Sequence, residues 1–137
     1  MDKEELEAAF LNTNYKILEN NIFKEELVLK IGEIVDFSSS LPSLMEWAFI
    51  TAWNPLPDIL SDEENRKRNT AFLTELRECG FESHLGLGMS EDGNWSEDSF
   101  FIENISKKKA AFYAKKFGQL AFVHCTKDQK AELIFTK

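Results

Sequence analysis

The sequence predicts a single α+β domain, on three observations: length, aromatic content and an alternation of helical with strand-like periodicity. A chain of 137 residues is the size of one domain. Its 12% aromatic content is too high for a disordered chain and is enough to build a core. Segments with apolar residues at helical spacing are separated by short runs that alternate or are apolar throughout, so helices and strands are interleaved.

From Lys3 to about Asn20, Leu6, Ala9, Phe10, Ile17 and Leu18 recur at helical spacing, with acids in the first turn, where the helix dipole favours them. One amphipathic helix is expected there. Leu27, Leu29 and Ile31 alternate with Val28, Lys30 and Gly32, which predicts a strand near an edge. The stretch from Ser38 to Ser43 is rich in turn residues and divides an N-terminal attachment, residues 1–45, from a body, residues 46–137.

The body opens on Trp47 to Trp53, WAFITAW, whose nearly continuous apolar character fits a central strand covered on both faces. The stretch Asn54-Pro55-Leu56-Pro57 must end it, because proline donates no ladder hydrogen bond. Ser61-Asp62-Glu63-Glu64 is a capping box that starts a helix, and Gly80 ends that helix. Strands follow at Ser83 to Met89 and Ser99 to Ile105, around a polar loop from Ser90 to Asp98. Ser106 caps a second helix closed by Gly118, and two strands, Gln119 to Cys125 and Glu132 to Thr136, finish the chain. Body order is therefore β-α-β-β-α-β with an extra terminal strand, the order of a ferredoxin-like split βαβ arrangement. That order carries the 51–65, 90–98 and 117–119 loops to one end of the sheet, and long loops on a rigid scaffold are where binding groups concentrate.

The motifs at that end are TAWNP at Thr51 to Pro55, the acidic helix start with Glu64-Asn65, Gly93-Asn94-Trp95 with Glu97, and FGQ at Phe117 to Gln119. In this order they resemble the bacterial domain-of-unknown-function family numbered 3293, over about Trp47 to Val123. The resemblance implies fold boundaries and a place for the site, and brings no reaction, substrate or cofactor.

Eight residues are candidates for a ligand site: Thr51, Asn54, Glu64, Asn65, Arg68, Trp95, Glu97 and Gln119. They offer amides for orientation, an indole as lid or anchor, and charged groups for recognition or acid–base work. Each also has a structural use. Glu64 belongs to the capping box, Asn54 and Asn65 can tie down backbone beside prolines, and Gln119 can satisfy a helix end.

Net charge is −8, which repels phosphate backbones and anionic lipid, so neither nucleic acid nor membrane is an expected partner. The acidic start, Met1-Asp2-Lys3-Glu4-Glu5, lacks the character of an export signal, and a cytoplasmic location is expected. Cys79 and Cys125 have no CxxC spacing, and His84 and His124 fall on strands, which points to structural roles. Gly86-Leu87-Gly88 follows no dinucleotide pattern, so no cofactor is indicated. Asp92, Asn94, Ser96 and Glu103 match four positions of a calcium loop, but Glu97 stands where that loop requires glycine.

These observations favour a binding or interaction module with a polar, acidic recognition site, for a small molecule or a basic protein surface. The alternatives are a metal-assisted hydrolase using Glu64 and Glu97 and, more remotely, an acidic mimic of nucleic acid.

Overall fold

A computed structural model describes residues 2–55 and 58–137; Leu56 and Pro57 of the expected strand stop lie outside the described residues. Ten elements follow one another: α1 (Lys3–Leu11), β1 (Thr13–Ile17), β2 (Leu27–Leu29), β3 (Glu46–Ile50), α2 (Asp62–Glu78), β4 (Ser83–Ser90), β5 (Ser96–Glu103), α3 (Lys107–Lys116), β6 (Ala121–Thr126) and β7 (Glu132–Phe135). The strands form one sheet in the order β2-β1-β4-β5-β3-β6-β7, and every neighbouring pair is antiparallel. The fold is therefore α+β.

The N-terminal helix is shorter than its periodicity predicts. It stops at Leu11, and Thr13–Ile17, expected to be helical, forms a strand whose residues alternate between buried and half-buried. Thr13, Tyr15 and Ile17 are residues that pack well on a pleated surface, and pairing of β1 with β4 overrides the local helical spacing. The loop between β4 and β5 is also tighter than expected, because β5 already begins at Ser96. The short β2 lies at the sheet edge, as its alternation suggests.

Both body helices are built by their caps. Ser61 Oγ accepts from Glu64 N at 3.2 Å while Glu64 Oε1 accepts from Ser61 N, which closes the capping box; Ser106 Oγ accepts from Lys109 N at 3.1 Å. Gly80, with φ +81, lets the chain leave α2 in a conformation other side chains rarely adopt. The two helices cover one face of the sheet, burying Ala48, Ile50, Phe100 and Ile102 against Phe72, Leu76, Ala110 and Tyr113.

Residues of opposite parity on the same strands, Trp47, Phe49, Phe101 and Val123, face the other way. Chain from the N-terminal third covers them: Tyr15, Ile17 and Leu29 from β1 and β2, with Phe23, Phe37 and Leu44 from the connections. The turn-rich stretch after Phe37 is thus anchored at both ends, since Phe37 and Leu44 are both buried. β3 is covered on both faces, which explains its unbroken apolar run.

Candidate functional site

β3 and β4 run parallel to one another, each antiparallel to the β5 strand between them, so the ends of β3 and β4 and the starts of β5 and β6 share one end of the sheet. β1 starts there too. Thr51, Asn54, Trp95, Glu97 and Gln119 line a single cleft of about 410 Å³ at this end. The volume lies within the range of roughly 300–1,000 Å³ typical of small-molecule sites.

The cleft floor is the face of the sheet opposite α2 and α3. Tyr15, Gly88 and Glu97 are successive cross-strand partners on β1, β4 and β5, and Phe49 and Val123 continue the floor on β3 and β6. Leu6, Ala9 and Phe10 of α1 form a wall. At the rim stand two exposed apolar side chains, Ile59 and Trp95. The lining of this cleft is mainly apolar.

Glycine creates part of the space. A Cβ at Gly88 would meet nothing closer than 3.9 Å, so its missing side chain adds open volume. A Cβ at Gly86, one pleat away on the same face, would come within 2.8 Å of the Phe49 ring and 2.9 Å of the Lys16 carbonyl oxygen. The first glycine leaves room and the second permits close packing.

Among the described residues Glu97 is the one acidic residue in the lining, and no lysine, arginine or histidine lines the cleft. Burial pushes its carboxyl up to about 7, from an ordinary value near 4.5. Across the cleft, burial likewise pushes the Tyr15 phenol upward, a hydrogen bond involving Thr13 opposes that shift, and the Glu97 charge adds to it. The Tyr15 hydroxyl donates to the Phe10 carbonyl at 3.0 Å and so ties the end of α1 to the floor.

Thr51 is already satisfied within the chain. Its hydroxyl donates to Asp98 O at 2.6 Å and accepts from Trp53 N at 3.0 Å. Asn54 adopts φ +41, and its Oδ1 accepts from Leu60 N at 2.9 Å. Gln119 Nε2 donates to Trp53 O at 3.1 Å, which binds the start of β6 to the loop after β3.

Glu64, Asn65 and Arg68 do not line the cleft; they build its frame. Glu64 is engaged by Ser61 in the capping box. Asn65 is fully buried, with hydrogen bonds to both backbone and side chain of Asn54 and a third to Leu60 O. Arg68 Nε donates to Ala52 O at 2.7 Å and its Nη2 donates to Phe117 O, joining the exit of β3 to the end of α3. Beside that junction Gly118, with φ +72, lies so close to Pro55 that a Cβ would approach it to 2.7 Å.

The other polar residues singled out in the sequence have partners within the chain. His84 Nε2 lies 2.6 Å from Glu103 Oε2, and His124, buried on β6, lies 3.1 Å from Ile105 O. Asp92 Oδ1 accepts from Asn94 N and Ser90 Oγ in a tight turn, and those bonds hold its carboxyl below the usual range. Glu103, the fourth calcium-loop match, lies at the end of β5 in the ion pair with His84. Among the described residues no three His, Cys, Asp or Glu side chains are grouped to hold a metal ion.

The apolar half of the cleft has almost no local signal in the sequence. Leu6, Phe10 and Tyr15 reach it only because β1 pairs with β4, and the spaced glycines of β4 were the one local sign of a backbone needing room.

The profile of the family described as "Protein of unknown function (DUF3293)" matches residues 50–122. This chain belongs to that family. The matched segment of this DUF3293 member holds Thr51, Asn54, Trp95, Glu97 and Gln119, whereas α1 and β1 precede it. No curated protein and no solved structure matches the chain significantly. No helix among the described residues is long and apolar enough to cross a membrane.

Proposed function

We propose that this protein is a small, non-catalytic binding module that takes up an apolar small molecule in the cleft between α1 and the floor of the sheet. The observation that carries this reading is the joint lining by Leu6, Phe10, Phe49 and Val123 with Trp95 and Ile59 at the mouth, in a hollow large enough for a ligand. The polar groups of Thr51 and Asn54 are occupied by the chain itself, so burial of apolar surface is the main source of affinity.

The metal-assisted alternative receives less support. Glu64 is held in its cap and does not line the cleft with Glu97, and no triad of potential ligands occurs among the described residues. The body is best described as ferredoxin-like, a reading supported by the central order β4-β5-β3-β6 with α2 and α3 on one face. A reducing, cytoplasmic setting is supported by two unpaired thiols, one exposed at Cys79.

The test uses the neutral fluorescent dye N-phenyl-1-naphthylamine. It should bind the full chain with one site and an emission shift to the blue. Gly88→Leu should weaken binding at least tenfold while the far-ultraviolet circular dichroism is retained. Absence of dye binding, or equal binding by folded Gly88→Leu, would overturn the reading.

A further inference from the structure

We infer that the natural ligand of this cleft is an organic ammonium: a protonated primary amine whose apolar tail lies against α1 and whose cationic head pairs with Glu97. The inference rests on the cleft being the binding site and names the class of molecule that it takes.

The cleft carries an imbalance of charge. Glu97 is a carboxyl on the floor of an apolar hollow, and among the described residues it has neither an ion-pair partner nor a side-chain hydrogen bond. Three acids near this end are engaged, Glu91 with Lys30 at 2.6 Å, Glu63 with Lys67 at 3.6 Å, and Glu64 with its own cap, while Asp58, Asp62 and Asp98 are exposed to water and lie outside the lining. An anion taken from water without a partner is costly, and a cation brought in by the ligand removes that cost directly. The uncompensated carboxylate is therefore a specificity element that awaits its counter-charge.

The surroundings select for the same chemistry. Net charge of −8 draws cations toward the molecule and repels carboxylate and phosphate ligands. Trp95 stands at the rim, and an indole face is a favourable neighbour for an ammonium group. The depth of the cleft is apolar, with Phe10, Phe49 and Val123 offering surface to an alkyl or aryl tail. A bare inorganic cation would find one carboxylate and little else, whereas an amphipathic amine uses both parts of the site.

Protonation of Glu97 gives the pairing a pH signature. Burial raises this carboxyl to about 7, so a paired ammonium must displace a proton from it near neutrality. Among the described residues Tyr15 on β1 is the only other titratable side chain in the lining, and its phenol is pushed far above that range; α1, β3, β6 and the loop before β5 add none. Affinity for an amine should accordingly rise from pH 5.5 to 8.5, while the amine itself remains charged.

The experiment is competition against bound N-phenyl-1-naphthylamine by three probes of equal chain length: octylamine, 1-octanol and octanoate. At pH 8, octylamine should displace the dye at least tenfold more effectively than 1-octanol, and octanoate should be the weakest. The octylamine-to-octanol ratio should fall toward one in Glu97→Gln, and in the wild-type protein it should fall as pH drops to 5.5. An octylamine preference that persists in Glu97→Gln, or is absent in the wild type, overturns the ammonium assignment and leaves the cleft as a binding site for neutral molecules. If the substituted chain fails to fold, the wild-type pH series decides alone, and a flat ratio counts against the proposal. Failure of the dye to bind at all removes the site, and the assignment with it.

Discussion

Asn65 and Asn54 hold one another through two hydrogen bonds: Asn54 N donates to Asn65 Oδ1 at 2.7 Å, and Asn65 Nδ2 donates to Asn54 Oδ1 at 2.8 Å. This clasp fixes the loop after β3 to the first turn of α2 and holds Asn54 in its left-handed conformation at the cleft rim. Asn65→Ala removes both bonds at a fully buried position and leaves two groups of Asn54 without these partners. A loss of about 2–4 kcal/mol is expected in urea unfolding, since unsatisfied buried polar groups carry their full desolvation cost. A loss under about 1 kcal/mol would show that the loop is fixed by other contacts.

The two glycines of β4 should respond oppositely to the same change. Gly86→Ala drives a methyl into the Phe49 ring and the Lys16 carbonyl, and should cost about 1–3 kcal/mol. Gly88→Ala meets only ordinary contact distances and should leave stability unchanged or raise it by up to about 1 kcal/mol through the unfolded chain. Thermal unfolding of the two variants side by side measures the difference, and equal losses would refute the account of the cleft floor.

Glu97 should make stability fall as pH rises. Its folded-state value of about 7 lies above the ordinary value near 4.5, so between those limits the unfolded chain has released a proton that the folded chain still holds. The sign follows: unfolding gains ground from pH 4.5 to 7, and the penalty is complete above 7. With allowance for partial exposure it amounts to about 1–3 kcal/mol. Glu97→Gln should therefore gain stability relative to wild type at pH 8 and not at pH 4.5, as read by urea titrations at both values. A difference independent of pH would rule out this origin.

Tyr15→Phe should loosen α1 more than it loosens the sheet. It deletes the hydroxyl that donates to Phe10 O, at a cost of about 1 kcal/mol, and keeps the ring packed edge-on against Phe49. Hydrogen exchange should quicken in Lys3–Leu11 with little change in β4 or β5. Uniform acceleration across the chain would mean that the hydroxyl serves the whole core.

The body was legible because its signals are local. Ser61 and Ser106 announce their helices by side-chain chemistry, Gly80 and Gly118 end them by backbone freedom, and the apolar run at Trp47 reports a strand buried on two faces. Element order then sufficed to bring Thr51, Asn54, Trp95 and Gln119 to one place. The N-terminal third was harder to read, because Leu6, Phe10 and Ile17 fit a helical stripe and only the partner strand β4 decides that Thr13–Ile17 is extended. The apolar character of the cleft was hidden for the same reason: Tyr15 faces Glu97 across Gly88 through a register that no local pattern displays. Arg68 and Asn65 had the residue types of a site and turned out to frame it, since burial beside open backbone groups gives polar side chains internal work.

The wall formed by Leu6, Ala9 and Phe10 lies outside residues 50–122, whereas Glu97, Trp95 and Gln119 lie within them. The hollow thus draws its contour and its electrostatics from different stretches of the same polypeptide. Exchanging the first 17 residues would re-tailor which tails fit while the ionisable anchor stayed in place, so selectivity for shape and selectivity for charge can vary independently in this architecture.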